Sequence, residues 1–228
     1  MRVLMVATAY LPSVGGVETH VREVAVRLRS RGIDIAIATT DPTGLLPSDE
    51  VIDGIRVRRV GAWPRGRDWR FAPGLHGLIR DERWDIVHVQ GYHTFVAPLA
   101  MWAASLAKIP YVVTFHSGGH SSRARRAFRG GQLLALRPLL KRSQRLIAVS
   151  DFERRLFVRA LRLGRERFEV IPNGAQLPTP RPLNPSGAKP LIVSLGRLER
   201  YKGHHRILDA MPHLLRCLLY TSPSPRDS

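Results

Sequence analysis

Residues 193–203, VSLGRLERYKG, combine features that bind a negatively charged group. Gly196 follows an apolar run, where a glycine lets the backbone approach a ligand, and a helix-forming segment opens after the basic residues. Arg197 offers a planar fork for two phosphate oxygens and Lys202 a mobile point charge, so the pair suits a diphosphate better than a single carboxylate. The alternative is a solvated basic loop in an arginine-rich chain.

A second glycine-bearing turn lies near the N-terminus, where Gly15 and Gly16 follow the first apolar run and precede a helical pattern. The unpaired N–H groups and the positive dipole end of a helix attract anions, so this turn is a second candidate phosphate site. It lacks the G-x-G-x-x-G spacing of a dinucleotide site, and a glycine pair is equally typical of a plain turn.

Histidines mark the ends of two apolar runs. His116 ends PYVVTFH, and His88 and His93 frame HVQGYH. Ligands of parallel α/β sheets bind at the carboxyl ends of the strands, so we expect His116 to face the ligand crevice with the other two beside it. A purely structural role is the alternative. We expect no metal site, because no i,i+4 histidine pair or carboxylate partner accompanies these residues.

Apolar runs of strand length alternate with helical patterns along the chain. Strands are predicted at residues 1–7, 33–40, 54–61, 84–90, 110–116, 145–150 and 168–172. The apolar spacing from residue 17 onwards predicts a helix that ends at Gly32. Strand–helix alternation needs crossover connections, which favour a parallel sheet. The predicted fold class is therefore α/β, a Rossmann-like parallel sheet with helices on both faces.

The proline-rich segment 174–189 predicts a linker between two domains, because it holds turn formers and no apolar periodicity. Residues 1–173 form the first predicted domain. Residues 190–216 start a second Rossmann-like domain with a strand at 191–196 and a helix, and we expect this domain to be truncated. In residues 217–228, CLLYTSPSPRD resembles the in-frame translation of a sequencing-library adapter, so we interpret them as a scar; a natural disordered tail is the alternative.

Composition limits the kinds of protein that this chain can be. The chain has 228 residues, 44% of them hydrophobic and 24% charged, as in globular proteins. Its single cysteine excludes an internal disulfide and a multi-cysteine metal site. No run is long enough to cross a membrane, and the N-terminus lacks the features of a secretion signal, so we expect a cytoplasmic protein.

The formal net charge of +18 attracts nucleic acid, anionic lipid or phosphorylated small molecules. Residues 123–145 interleave arginines with leucines and are broken by a glycine pair and Pro138. Such a segment suits peripheral contact with an anionic inner membrane face, and a core helix with a solvated basic side is the alternative. Aromatic residues make up only 7% of the chain and do not interleave with the basic runs, which argues against specific nucleic-acid binding.

Six segments, in this order, resemble the family 4 glycosyltransferases, retaining enzymes of the GT-B fold. They are GGVETHVREVAVRL, DIVHVQGYH, PYVVTFHSGG, LIAVSDFERRLF, VIPNGAQL and VSLGRLERYKG. The resemblance implies that Arg197 and Lys202, with Gly196, hold the diphosphate of a UDP- or GDP-linked sugar. It also implies that His116 lies beside the transferred sugar and that Gly16 lies near the donor phosphate.

The same resemblance makes Gly15, Glu18 and His93 candidate acceptor-side residues, for an acceptor that is a glycan, a lipid or a small metabolite. It implies no metal and no cofactor besides the nucleotide-sugar substrate. The glutamate-bearing E-x7-E region of the family has no counterpart in this sequence, so we expect the chain as given to be inactive. The alternatives are a non-catalytic Rossmann-like module that binds nucleotides or phosphate and, less favoured, a basic nucleic-acid-binding protein.

Overall fold

A computed structural model describes residues 1–64, 70–116, 123–174, 192–196 and 200–219, with the backbone alone described for residues 123–129, 201 and 218–219. The chain divides into two compact units, Met1–Gln176 and Leu177–Ser228, and each is described by itself. The predicted linker at 174–189 and the adapter-like segment at 217–228 fall almost wholly outside the described residues, so these boundaries stay predictions.

The first unit is built on one eight-stranded sheet. Its strands are β1 (Arg2–Val6), β2 (Asp34–Asp41), β3 (Asp49–Ile52), β4 (Ile55–Gly61), β5 (Ile86–Gln90), β6 (Tyr111–Thr114), β7 (Arg145–Ala148) and β8 (Phe168–Val170). They lie in the order β3-β4-β2-β1-β5-β6-β7-β8, and every neighbouring pair is parallel except β3 with β4. The predicted parallel α/β sheet is confirmed.

Helices cover both faces of this sheet. They are α1 (Gly16–Ser30), α2 (Gly74–Asp81), α3 (Val96–Leu106), α4 (Arg123–Arg142) and α5 (Asp151–Leu161), while the second unit contains α6 (His204–Leu219). Successive residues of β1 point to opposite faces: Val3 and Met5 pack with α1, whereas Leu4 and Val6 belong to the larger core that α2, α3, α4 and α5 cover.

The sheet topology fixes where a ligand crevice opens. β1 lies in the middle, with β2 on one side and β5 on the other, so the direction of winding reverses between β1 and β5. The connections that leave the carboxyl ends of these two strands run apart, which opens a crevice at that edge. The chain segments that follow the carboxyl ends of the strands are therefore the ones that can meet a ligand.

Two strand predictions differ from the structure. β3 was not predicted: its four residues, DEVI, are too charged to read as a core strand, but Asp53 and Gly54, both with positive φ, form a tight turn that pairs β3 with β4 at the sheet edge. The predicted strand at 191–196 is wrong for the described residues 192–196, which form no strand. A strand is held by hydrogen bonds to a neighbour, and the described residues supply none there.

The basic segment at residues 123–145 also differs from its prediction, because α4 runs unbroken through both glycines and Pro138. Pro138 is exposed, so the backbone carbonyl that receives no N–H from it can face solvent. Its leucines mostly face the core, with Leu133, Leu136 and Leu140 buried and Leu134 exposed. This arrangement fits the core-helix alternative. Among the described residues, no helix has the length and apolar character needed to span a bilayer.

Candidate functional site

A cleft of about 320 Å³ opens at the carboxyl edge of the first unit's sheet. It is formed by the start of α1 and by the segments that follow β6, β7 and β8, and it is lined by Gly16, Val17, His116, Val149, Ser150, Glu153 and Asn173. None of these described lining residues is lysine or arginine. The cleft therefore presents mainly uncharged groups, and its one acidic lining residue, Glu153, is almost fully buried in the wall.

His116 lies just beyond β6, as predicted, and its ring is held from two sides. Its Nε2 lies 2.7 Å from Oε1 of Gln90, and the ring of His20 approaches at 4.9 Å between centroids in an edge-on arrangement. Because an amide oxygen can only accept, Nε2 carries the proton and Nδ1 remains the acceptor of the ring. Nδ1 is thus the ring atom of this cleft-lining side chain that can accept a hydrogen bond.

Burial, reinforced by the nearby imidazoles of His20, His88 and His93, lowers the pKa of His116 to about 3. Burial, with a smaller effect of His20, lowers the pKa of His88 to about 4, and His88 Nε2 is hydrogen-bonded to Thr114 Oγ1 at 2.7 Å. Burial also lowers the pKa of His20. These three rings are therefore neutral near pH 7.

The predicted grouping of histidines is present but one member was missed. His93 influences the pKa of His116, although it does not line the cleft, and its ring lies tilted against that of Tyr92 at 4.1 Å between centroids. His20 was not predicted because it lies on a helix rather than at a strand end. Its position four residues after Gly16 places both on one face of α1, a spacing that could have identified it.

The glycine pair opens α1, as predicted. Gly15 is the N-cap with an extended backbone that any residue can adopt, and the carboxylate of Glu18 folds back over it, in the space that a side chain at position 15 would take. Apart from its chain neighbours and the backbone of its own helix, no described atom lies within 4 Å of where a Cβ on Gly16 would stand. Neither strain nor packing requires glycine at position 16, so the open space beside it in the cleft favours a ligand there.

Ser150 and Glu153 form the start of α5 and a wall of the cleft. Ser150 Oγ accepts the backbone N–H of Glu153 at 3.2 Å, while Glu153 Oε2 accepts the N–H of Val149 at 2.8 Å, a variant of the capping box. Sequence reasoning did not select these residues or Asn173 as site residues. The S-x-x-E spacing was visible, but it predicts a helix start and carries no information about a cleft.

In the second unit, Gly196 lies beside Lys202, and their predicted role in binding a diphosphate stays a prediction. The φ of Gly196 is +155°, and a Cβ there would lie 3.8 Å from the Cδ atom of Lys202 and 3.4 Å from Nε2 of His204. Lys202 is exposed and ends a 3-10 turn before α6, and Ser194 Oγ is hydrogen-bonded to His204 Nδ1 at 2.6 Å. Arg197 lies outside the described residues, so its placement beside this glycine stays a prediction.

Metal-ligating side chains do not cluster in the described part of the chain, where no three His, Cys, Asp or Glu residues gather so that they could hold an ion. The expectation that catalysis uses no metal and no cofactor remains a prediction.

Known proteins that are similar in sequence to this chain include two glycosyltransferases and a glycogen synthase. Across 95% of its length the chain is 32% identical to a phosphatidyl-myo-inositol mannosyltransferase of Mycobacterium leprae, and likewise to a glycogen synthase of Mycobacterium tuberculosis. A D-inositol 3-phosphate glycosyltransferase of Xylanimonas cellulosilytica is 28% identical over 88% of the chain and is covered over 55% of its own length. The chain spans 58% of the length of the mannosyltransferase and 59% of the synthase.

Solved structures share the fold. Anabaena HepE in complex with UDP and glucose matches with a TM-score of 0.56 at 21% identity, over 77% of this chain and 45% of HepE. The catalytic domain of starch synthase IV from Arabidopsis thaliana matches with a TM-score of 0.53 at 12% identity, over 76% of this chain and 51% of that domain. The sequence profile of Glycosyltransferase Family 4 matches residues 14–177, and the mannosyltransferase is 32% identical over 95% of the chain. The chain therefore belongs to Glycosyltransferase Family 4.

Proposed function

We propose that the protein containing this chain transfers a sugar from a UDP- or GDP-linked donor to an acceptor hydroxyl with retention of anomeric configuration. The observation that carries the proposal is the cleft at the carboxyl edge of a family 4 sheet, where the neutral His116 faces the glycine-opened start of α1. The relatives named above act on different substrates by their names, so neither the sugar nor the acceptor is taken from them.

The chemistry of the cleft favours the sugar end of the donor. Ser150, Asn173 and the Nδ1 atom of His116 can exchange hydrogen bonds with hydroxyl groups, as sugar recognition requires. A phosphate group would find no lysine or arginine among these lining residues. The backbone N–H groups at the start of α1, beside Gly16, are the groups in the cleft that favour negative charge.

The diphosphate needs cations from outside this cleft. In the proposal Arg197 and Lys202 bind it. When the bond between the anomeric carbon and the phosphate oxygen breaks, the leaving nucleoside diphosphate gains negative charge, which a guanidinium and an ammonium stabilise. The acceptor oxygen bonds to the same face of the anomeric carbon, and its proton passes to the departing phosphate oxygen. His116 orients the sugar through its hydroxyls and is not a nucleophile.

The test measures sugar transfer and donor hydrolysis by the whole protein with a panel of UDP- and GDP-linked sugars, and NMR gives the anomeric configuration of the product. His116→Gln, whose amide can still meet Gln90 but lacks the Nδ1 acceptor, should lower kcat by about 100-fold. His116→Asn, whose amide reaches the position of Nδ1, should lose less. His213→Asn, at an exposed position of α6, is the matched control and should retain activity.

Two results would contradict the proposal. A product of inverted configuration rules out the retaining reaction, and binding of nucleotide sugars without transfer or hydrolysis favours the non-catalytic binding module. Equal kcat in the wild type and in His116→Gln would remove His116 from the reaction while leaving the activity itself in place.

The proposal does not extend to a membrane surface. The leucines that would enter a bilayer mostly belong to the core, and Leu134 alone of the five between positions 133 and 140 is exposed. Flotation with neutral and anionic vesicles tests this. Because the net charge is +18, we expect some binding to anionic vesicles, but this binding is electrostatic and should be lost at high salt. Salt-resistant binding would restore the peripheral-membrane hypothesis.

A further inference from the structure

One face of the sheet becomes polar where β5 and β6 end. Successive side chains of a strand point to opposite faces, and Val87, Val89 and Val113 point into the larger core. Ile86 of β5 points to the other face, where it packs against the smaller core that α1 covers. Further along the two strands, this α1-facing side carries four polar residues: His88, Gln90, Thr114 and His116.

Two hydrogen bonds join these side chains across the strands. His88 Nε2 lies 2.7 Å from Thr114 Oγ1, and His116 Nε2 lies 2.7 Å from Gln90 Oε1. A threonine hydroxyl can donate or accept, so Thr114 is compatible with either tautomer of His88. The amide oxygen of Gln90 can only accept, so this contact selects the tautomer of His116 that carries its proton on Nε2.

The amide of Gln90 is a costly group to bury at this position. Gln90 is 4% exposed, and its Nε2 is buried without a hydrogen-bond partner in the described part of the chain. A buried N–H without a partner lowers the stability of the folded state, so an apolar side chain of similar size would fit there at less cost. Stability therefore does not account for this glutamine, and the contact that its side chain makes with Nε2 of His116 points to a role in orienting that ring.

The chemical type of the orienting group decides what a histidine can do. A carboxylate stabilises the protonated ring and makes the histidine a base, as in the serine-protease triad, whereas an uncharged amide holds the ring without adding charge. The titratable groups around His116 in the described residues are three imidazoles and one carboxylate: His20 of α1, His88 of β5, His93 after β5 and Glu153 of α5. The Glu153 carboxylate accepts the backbone N–H of Val149, so the amide of Gln90 is the group that holds the imidazole.

We propose that Gln90 is a positioning residue for sugar transfer: its amide oxygen keeps the proton of His116 on Nε2, so that Nδ1 accepts a hydrogen bond from a hydroxyl of the donor sugar. Gln90 is not among the residues that line the cleft, and it acts only through His116. The proposal rests on the proposed function, because it requires that His116 meets the sugar. An uncharged orienting group makes His116 a hydrogen-bond acceptor and not a proton carrier.

The first test determines the tautomer in the ¹⁵N-labelled chain at pH 7.5, because long-range ¹H–¹⁵N NMR spectra distinguish a protonated from an unprotonated ring nitrogen. The His116 signals, assigned by their loss in His116→Gln, should show a proton on Nε2, with an NOE between that proton and the side chain of Gln90. Gln90→Leu, which keeps the size but lacks the acceptor, should lower the ratio of the two tautomers about 10-fold. A proton on Nδ1 in the wild type overturns the proposal without any variant, and so does an unchanged ratio in Gln90→Leu.

The second test changes the charge of the orienting group. Gln90→Glu keeps an acceptor oxygen and adds a negative charge, which favours the protonated ring and should raise the pKa of His116 from about 3 to roughly 4–6. Gln144→Glu adds the same charge at an exposed position before β7 and is the matched control. The midpoint of the His116 Cε1 proton should move in Gln90→Glu and not in the control. No movement, or equal movement in both variants, overturns the proposal.

Kinetics of the whole protein test the positioning role. Gln90→Leu should lower kcat about 10-fold and leave the KM for the acceptor almost unchanged, because the tautomer of His116 acts on the donor sugar. Gln90→Glu retains an oxygen that accepts from Nε2, so it should restore kcat at pH 8, where the ring is neutral. At lower pH its kcat should fall with the midpoint that NMR gives for His116, a dependence that a merely structural role would not produce.

The outcomes separate this inference from the proposed function. Wild-type kcat in Gln90→Leu, or an equal loss in Gln90→Glu at every pH, overturns the inference and leaves the glycosyltransferase proposal standing. Absence of both transfer and hydrolysis in the wild type overturns the proposed function, and the tautomer measurement then decides by itself whether Gln90 orients His116.

Discussion

Lowering the pH from 7.5 to 5.5 should destabilise this chain through its buried histidines. His88 and His116 have folded-state pKa values of about 4 and about 3, below the ordinary value of 6.5. Between these values the unfolded chain binds protons that the folded chain does not, so the free energy of unfolding falls as the pH drops below 6.5 and keeps falling until the folded pKa is reached.

The loss of unfolding free energy follows from how far the pH lies below 6.5, the pKa of a histidine in the unfolded chain. One pH unit below 6.5, each histidine that stays neutral in the folded state costs about 1.4 kcal/mol of stability. The two rings together would give about 3 kcal/mol, and their partial contact with solvent reduces this to roughly 1.5–3 kcal/mol. Asp41, with a pKa of about 2, adds nothing in this range because both its folded and unfolded forms are ionised above pH 5.

Urea unfolding at pH 7.5, 6.5 and 5.5 measures the effect in the wild type, in His88→Gln/His116→Gln and in His213→Gln. The double variant should lose most of the pH dependence and keep the part that comes from His20, whose pKa burial also lowers, while the control at exposed His213 should keep all of it. NMR of the imidazole Cε1 protons gives a direct check, since the signal of His116 should not titrate between pH 5 and 8. A midpoint above 6 for His116, or the same pH dependence in the double variant, refutes the reasoning.

Three substitutions test separate features of the first unit. Gly16→Ala should keep the unfolding free energy or raise it by up to about 1 kcal/mol, since nothing lies within 4 Å of the added carbon, yet weaken donor binding; unchanged affinity in a titration contradicts the ligand role. Arg59→Met should cost about 3 kcal/mol in urea unfolding because it leaves Glu50 unpaired; a loss below about 1 kcal/mol contradicts a stabilising pair. Ser150→Ala should cost about 1 kcal/mol by removing the bond to the N–H of Glu153, and Ser150→Asp should recover it unless capping is the wrong explanation.

The fold was largely predictable because its signals are local. Each buried parallel strand is a short apolar run, and each crossover helix carries its own periodicity, so seven of the eight strands could be placed from sequence. The edge strand at Asp49–Ile52 escaped because an edge has one solvated side and needs little apolar character. The strand order could not be predicted in detail, since it depends on contacts between distant segments.

The candidate site was predictable only where chemistry coincided with a strand end. His116 and Gly16 were identified because a histidine after a strand and a glycine at a helix start both have a recognised meaning in this fold. His20 and Glu153 reach the same region from helices α1 and α5, where their residue types predict a solvated face or a cap.

The neutrality of His116 fits the sugar transfer that we propose for this cleft. As the bond to phosphate breaks, positive charge develops at the anomeric carbon, and an imidazolium about 5 Å away would raise the barrier by roughly 3 kcal/mol at an effective dielectric constant of 20, a slowing of more than 100-fold. Burial and the neighbouring rings of His20 and His88 keep the proton off His116 at neutral pH. The neutral ring can then accept a hydrogen bond from a sugar hydroxyl without opposing the charge of the transition state, so a fall of kcat between pH 7 and 5.5 must come from another group.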